Sequence, residues 1–171
     1  CTPPACPCSM RARITSSKSS SSQITYKDQA ANSVEVTIDS KISSSVDVRD
    51  FGALGDSIND DTVAFVAAMS AATAGRYSVY VPSPSQGASS FYKITNEISI
   101  PDNVSVFGTG YGSYVKQVTL KKNLFRCGNN TSVRNLRLEM PANVSVGEDL
   151  VNQNAVYANG KTNVEVSGNV I

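Results

Sequence analysis

Alternation of apolar and polar residues begins at residue 46 and continues, with interruptions, to residue 171. VDVRDFG (46–52) alternates and stops at Gly52 and Gly55, which predicts a strand. NDDTVAFVAAMSAATAG (59–75) breaks the pattern: Val63, Val66, Ala67, Met69 and Ala71 fall near helical spacing, and Gly75 is placed to end a helix. Asp60 is the predicted N-cap and Asp61 the first-turn acid that the helix dipole favours. Beyond the helix the pattern is strand-like throughout: YSVYVPS, YKITNEISI, NVSVFG, QVTL, SVRNLRLEM, AVYA and NVEVSGNVI, bounded by Gly, Asn, Pro or Ser. No second helical segment follows, which excludes a doubly wound nucleotide-binding sheet. GTGYG (108–112) is followed by no helix, so it is not a dinucleotide fingerprint.

The strands recur. NVSVFG, TSVRNLRL and TNVEVSGN align with Val104, Val133 and Val164 at matching places, 133 − 104 = 29 and 164 − 133 = 31 residues apart. Recurrence in this range without helices predicts a β-solenoid whose turns stack on one another. Asn103, Asn135, Asn163 and Asn169 lie near strand ends, where Asn tolerates left-handed corners and bonds to neighbouring turns. Upstream, SSKSSSS (16–22) cannot bury apolar surface. Residues 1–23 therefore read as a disordered Ser-rich tail, 24–45 as a connector with short alternation at Val34, Val36 and Ile38, and 46–171 as the compact part.

Composition narrows function more than fold. The length of 171 residues suits one domain. A net charge of +1 gives no electrostatic case for nucleic acid or an anionic membrane, and no run of 18 apolar residues is present to span a bilayer. His is absent, which removes the commonest general base and metal ligand. Cys1, Cys6 and Cys8 in CTPPACPC lack the paired spacing of a zinc site, and Cys127 reads as a small buried hydrophobe. CTPPACPCSM carries prolines where a signal peptide needs an apolar run, and the first nine residues read as upstream of Met10. A calcium loop from Asp56 has Asp61 where Gly is required and Ala67 where Glu is required. No metal or cofactor is expected.

Three groups stand out as candidates. Glu148 and Asp149 are adjacent carboxylates, a pattern that more often faces solvent than flanks a glycosidic bond. Tyr111 and Tyr114 have the chemistry to stack on sugar rings, although half-buried loop tyrosines are the commoner arrangement. Asn103, Asn129, Asn130 and Asn143 match N-x-[ST], which the Asn-, Ser- and Thr-rich composition produces without any modification.

VDVRDFGALGDSINDDTVAFVAAMSAA resembles the opening motif of the pectate-lyase-like right-handed parallel β-helix proteins, V-x-D-F-G-A-x-G-D-G-x-x-D-D-T followed by a helix. Asp50, Phe51, Gly52, Ala53, Gly55, Asp56, Asp60, Asp61 and Thr62 match, and Ser57 stands where the family has Gly. The resemblance covers roughly residues 46–171. It implies an all-β fold, a right-handed parallel β-helix (solenoid) with an N-terminal capping α-helix. On that reading Asp47, Asp50, Asp56, Asp60 and Asp61 shape and cap the start of the fold and are not catalytic.

A second resemblance, carried by Thr25, Tyr26, Val36, Lys41 and Ile42, is to the connector before the β-helix in phage tail spikes and tail fibres. Together the two imply the N-terminal part of a carbohydrate-active protein of tail-spike type, which binds and depolymerises a polysaccharide by hydrolysis or β-elimination. They imply a homotrimer when complete, a place in the virion tail, no nucleic-acid partner and no membrane insertion. The alternatives are a secreted polygalacturonase-, rhamnogalacturonase- or epimerase-like enzyme and a non-catalytic receptor-binding adhesin. Family enzymes carry their acids on later coils, and NVI at 169–171 lies inside a strand pattern. The sequence thus reads as a truncated portion in which no catalytic residue is assigned and the substrate-binding residues stay open.

Overall fold

The structure, a computed structural model, describes residues 25–27, 34–37, 45–75, 77–87, 89–142 and 153–171. The chain divides into two units, residues 1–44 and 45–171. In the first, β1 (Thr25–Tyr26) pairs antiparallel with β2 (Val36–Thr37), Thr25 opposite Thr37 and Tyr26 opposite Val36. Thr25 Oγ1 donates to the Glu35 carboxylate across this pair. Ile38, Lys41 and Ile42 lie outside the described residues.

The second unit runs β3 (Val46–Asp47), a 3-10 turn (Val48–Phe51), α1 (Thr62–Ala72), β4 (Ser78–Val81), β5 (Tyr92–Ile94), β6 (Ile98–Ile100), β7 (Ser105–Gly108) and β8 (Tyr114–Gln117). It continues with β9 (Phe125–Cys127), β10 (Thr131–Arg134), β11 (Arg137–Glu139), β12 (Val156–Tyr157) and β13 (Val164–Ser167). These strands form three parallel sheets, in the orders β13-β10-β7-β4-β3, β11-β8-β5 and β12-β9-β6. Each coil contributes one strand to each sheet, so the chain climbs as an all-β parallel β-helix with one capping helix, as expected.

The interior is a set of stacked apolar columns. Val46, Val79, Val106, Val133 and Val166 are consecutive partners through all five strands of the first sheet, and the first four are fully buried. Burying a valine contributes about 1.5–3 kcal/mol, so one such column holds several coils in register. The ladder corrects the sequence alignment: Val133 pairs with Val106 and Val166, whereas Val164 pairs with Thr131. A slip of two residues keeps the same side chains inward, so alternation alone could not detect it. The repeats in this sheet are 106 − 79 = 27, 133 − 106 = 27 and 166 − 133 = 33 residues.

Several strand boundaries also differ from expectation. VDVRDFG keeps only Val46–Asp47 extended, because Asp47 accepts the Arg49 amide at 2.9 Å and starts the 3-10 turn. β8 ends at Gln117, where QVTL begins, and β9, a three-residue strand with Arg126 at its centre, was too short to show a period.

The capping helix closes one end of the core. Ala64, Phe65, Ala68, Met69 and Ala72 are buried, and the Phe65 ring meets Tyr92 edge-on at 5.5 Å. The expected apolar face was different: Val63 and Val66 are exposed, and of the predicted set only Met69 is buried. The helix is apolar on nearly every side, so its composition left the buried face open. Gly75 (φ 109) lies two residues beyond the C-cap Thr73 and lets the Tyr77 amide return to Ala72 O at 2.9 Å.

Asparagines tie the coils together at the corners. Asn103, Asn130 and Asn163 all have φ between 53° and 64°. Asn130 Nδ2 donates to Asn103 Oδ1 at 3.0 Å, and Asn163 Nδ2 to Asn130 Oδ1 at 2.8 Å. Asn169 accepts the Leu136 amide at 3.0 Å and donates to Val133 O at 2.8 Å. Asn135 (φ 55) turns the chain between β10 and β11. The expected inter-turn role of these residues is therefore present. Asn130, which the sequence marked only by its N-x-[ST] pattern, is the central rung.

Candidate functional site

The opening aspartates build the first edge of the coil. Asp56 accepts the Ile58 and Asn59 amides at 2.9 and 2.8 Å, which holds its carboxyl below the usual range. Asp60 accepts the Thr62 amide at 3.0 Å and the Thr62 and Thr95 hydroxyls at 2.5 and 2.6 Å. Asp61, not Asp60, occupies the N-cap position, and its carboxylate is turned away from the helix. It is buried and accepts three amides, from Leu54 (2.7 Å), Gly55 (3.2 Å) and Lys93 (3.2 Å). Burial pushes this carboxyl up while the three amides pull it down.

Residues 57–61 run beside β5. Ser57 N donates to Phe91 O at 3.1 Å, Phe91 N to Ser57 Oγ at 3.0 Å, and Asp61 N to Lys93 O at 2.9 Å. The sheet edge is thereby covered. Ser57 has φ 67, which explains the glycine usual at this position, and its hydroxyl supplies a bond that glycine lacks. These acids hold the fold, as expected.

Chemistry concentrates instead on the outer face of the second sheet. Tyr114 pairs with Arg137, and Lys116 pairs with both Lys93 and Glu139. Lys116 Nζ lies 2.6 Å from Glu139 Oε1, Arg137 Nη2 lies 3.7 Å from Oε2, and Tyr114 OH donates to Oε2. The Arg137 guanidinium sits 3.8 Å from the Tyr114 ring centre and 4.6 Å from that of Tyr111. Phe91 extends the aromatic column, 5.3 Å from the Tyr114 ring centre, with Lys116 Nζ 5.3 Å from its own.

Bonds from Lys116 and Tyr114 hold the Glu139 carboxyl below its usual range. Burial, reinforced by Glu139, pushes the Tyr114 hydroxyl up to about 12. At neutral pH Glu139 is thus ionised and Tyr114 protonated, and neither is poised to exchange a proton. The arrangement is suited to binding: an exposed Tyr111 ring (62% accessible) backed by a guanidinium can stack on the apolar face of a sugar, with cationic donors beside it.

Of the two tyrosines singled out in the sequence, Tyr111 is exposed in a turn and Tyr114 is buried on β8, so neither is a half-buried loop residue. Phe91, Lys116, Arg137 and Glu139 were not anticipated. A signal for them exists in the equal spacing 114 − 91 = 23 and 137 − 114 = 23, with 93, 116 and 139 beside it. Glu148, Asp149, Asn143, Cys1, Cys6 and Cys8 lie outside the described residues. Cys127 is free and buried, which raises its thiol, as befits a core hydrophobe. Asn103 and Asn130 spend their side-chain amides on the inter-coil ladder, and Asn129 bonds Asp102 below and Thr162 above.

Comparison with known proteins adds three relatives and a family. The sequence model described as "Rhamnogalacturonase A/epimerase, pectate lyase-like" matches residues 45–170. Mannuronan C5-epimerase AlgE2 of Azotobacter vinelandii is 41% identical over 70 residues, 40% of this chain and 7% of that protein. The solved A-module of Azotobacter vinelandii mannuronan C-5 epimerase AlgE6 is 28% identical with a TM-score of 0.50, covering 72% of this chain and 36% of that one. ORF18 of Geobacillus virus E2 is 20% identical with a TM-score of 0.48, covering 67% and 27%. The chain therefore spans only a small fraction of the curated relatives it matches.

Proposed function

Because the chain belongs to the rhamnogalacturonase A/epimerase, pectate lyase-like family, we propose that it forms the first coils of a β-helix protein that binds and depolymerises a polysaccharide in the manner of a phage tail spike. The family is carbohydrate-active. The observation that carries the step to a bound polysaccharide is the outer column of the second sheet, where Tyr111, Arg137 and Lys116 present a ring and two cations to solvent. Depolymerisation, by hydrolysis or β-elimination, belongs to coils stacked beyond β13. Support for such coils comes from the apolar side chains at that edge, Val166 (46% accessible), Val170 (46%) and Ile171 (78%). The tail-spike setting, with a homotrimer on a virion, is supported by the Thr25–Tyr26 hairpin strand placed just ahead of the Asp50-Phe51-Gly52 opening motif.

A second reading, a secreted epimerase acting on a polyuronate, is favoured by the likeness to the AlgE6 A-module across 72% of the chain. Incubating the full-length gene product with mannuronan, polygalacturonate and bacterial capsular polysaccharide separates the two. Shortened polymer on size-exclusion chromatography supports the depolymerase. Unchanged length with an altered uronate composition by proton NMR supports the epimerase. Retained binding with no chemical change identifies an adhesin, and absence of both binding and change overturns the polysaccharide reading altogether.

A further inference from the structure

Two turns in neighbouring coils face each other beside the third sheet. Asn96 and Glu97 come from the turn before β6, Lys121, Lys122 and Asn123 from the turn before β9, and Arg126 from β9 itself. They line a pocket of about 280 Å³ whose ionisable residues, three cations and one carboxylate, leave a formal charge of +2.

The carboxylate is already engaged. Asn123 Nδ2 donates to Glu97 Oε2 at 2.6 Å and Arg126 Nε to Oε1 at 2.5 Å. Asn123 is itself buried and fixed from the next coil, its Oδ1 accepting from Asn154 N (3.1 Å) and Nδ2 (3.0 Å). The Arg126 guanidinium is held on its other side by the Tyr157 ring, 5.0 Å from the ring centre. Among the described residues, its two terminal nitrogens have no hydrogen-bond partner, and the Lys122 ammonium has none either. The pocket thus offers an oriented guanidinium edge and a lysine, already freed of the local carboxylate, to an incoming anion.

We propose that this pocket is an anion subsite that seats one oxyanion-bearing sugar unit, a uronate carboxylate or a sulfate ester, between Arg126 and Lys122. A carboxylate or sulfate oxygen pair matches the two-nitrogen edge of a guanidinium, and both donors make charge-assisted bonds. The volume lies just under the range of about 300–1,000 Å³ for drug-sized ligands, which suits a single ring and not an oligosaccharide. That the anion is borne on a sugar rests on the polysaccharide reading above; the anion site itself rests on the geometry. The pocket is distinct from the Tyr111–Arg137 column and would fix the position of a charged unit along a polymer lying over the coils.

Isothermal titration calorimetry of the full-length protein with tetramannuronate, singly sulfated mannotetraose and neutral mannotetraose tests this. One acidic probe should bind at least about tenfold more tightly than the neutral one, and the stronger of the two identifies carboxylate or sulfate. Lys122→Ala and Arg126→Lys should each weaken that probe about tenfold, the second because it keeps the charge but loses the fork. Lys161→Ala, on another corner, should change nothing. Lys122 is exposed, so its variant should melt at the wild-type temperature. Equal binding of acidic and neutral probes, or undiminished acidic binding in both variants, overturns the subsite. If polymer is still cleaved or epimerised in that case, the polysaccharide reading stands without it. If instead the acidic probe binds as described while no polysaccharide is altered or retained, the general reading falls and the subsite remains.

Discussion

Asp61 is the residue on which the opening loop depends, because one buried carboxylate accepts amides from Leu54 and Gly55 in the loop and from Lys93 in β5. Asp61→Asn keeps the shape but places an NH2 group against donors that need an acceptor. The expected loss is about 2–4 kcal/mol, read as a lower urea midpoint at constant m-value. An unchanged midpoint would mean that water, not Asp61, satisfies those amides. The sequence marked Asp61 as an acid at a helix start and assigned it to the dipole. It could not show the true role, since Lys93 is 93 − 61 = 32 residues away and only closure of the first coil brings its amide within reach. Tyr92, whose hydroxyl is buried without a partner in the described structure and pushed up to about 12 by burial, was equally invisible for the same reason.

At the scale of elements, coils are joined by side-chain ladders as well as by sheet hydrogen bonds. Asn130 bonds the coil on each side and also holds a left-handed corner (φ 53). Replacement by Gly removes the two bonds and leaves the corner free, whereas Ala removes them and adds strain. Asn130→Ala should therefore be less stable than Asn130→Gly by about 1–2 kcal/mol, an inversion of the usual Ala-over-Gly order that thermal melts can check. Equal stability of the two would place the corner's preference elsewhere. The helix shows the opposite limit of sequence reading. Its existence was legible from spacing and Gly75, yet its buried face was not, because Val63 and Val66 are as apolar as Phe65 and Met69. Contact with β3, β4 and β6 made the choice.

For the whole molecule, the two ends of the stack differ. At one end β3, residues 57–61 and α1 cover the sheet edges and the core. At the other, β13 pairs on one side with β10, and Val166, Val170 and Ile171 are exposed. An unblunted edge with apolar side chains recruits further strands. The 171-residue chain alone should therefore self-associate, and Val166→Lys should reduce the associated fraction severalfold in sedimentation velocity; a wild-type monomer at high concentration would contradict this. What the sequence determined by itself was the architecture: alternation with inward valines, isoleucines and leucines, a single helix and the Asp50–Thr62 motif suffice to require stacked parallel coils, because only that arrangement buries every inward position. Tertiary structure alone decided the register and the site. The connections from the first sheet to the second shorten along the stack, from residues 82–91 to 109–113 to 135–136, so the second sheet repeats at 23 residues while the first repeats at 27 and 33. Outward residues such as Phe91, Tyr114 and Arg137, or Glu97 and Arg126, carry no burial pattern of their own. They become columns and pockets only when those unequal turns set one coil above the next.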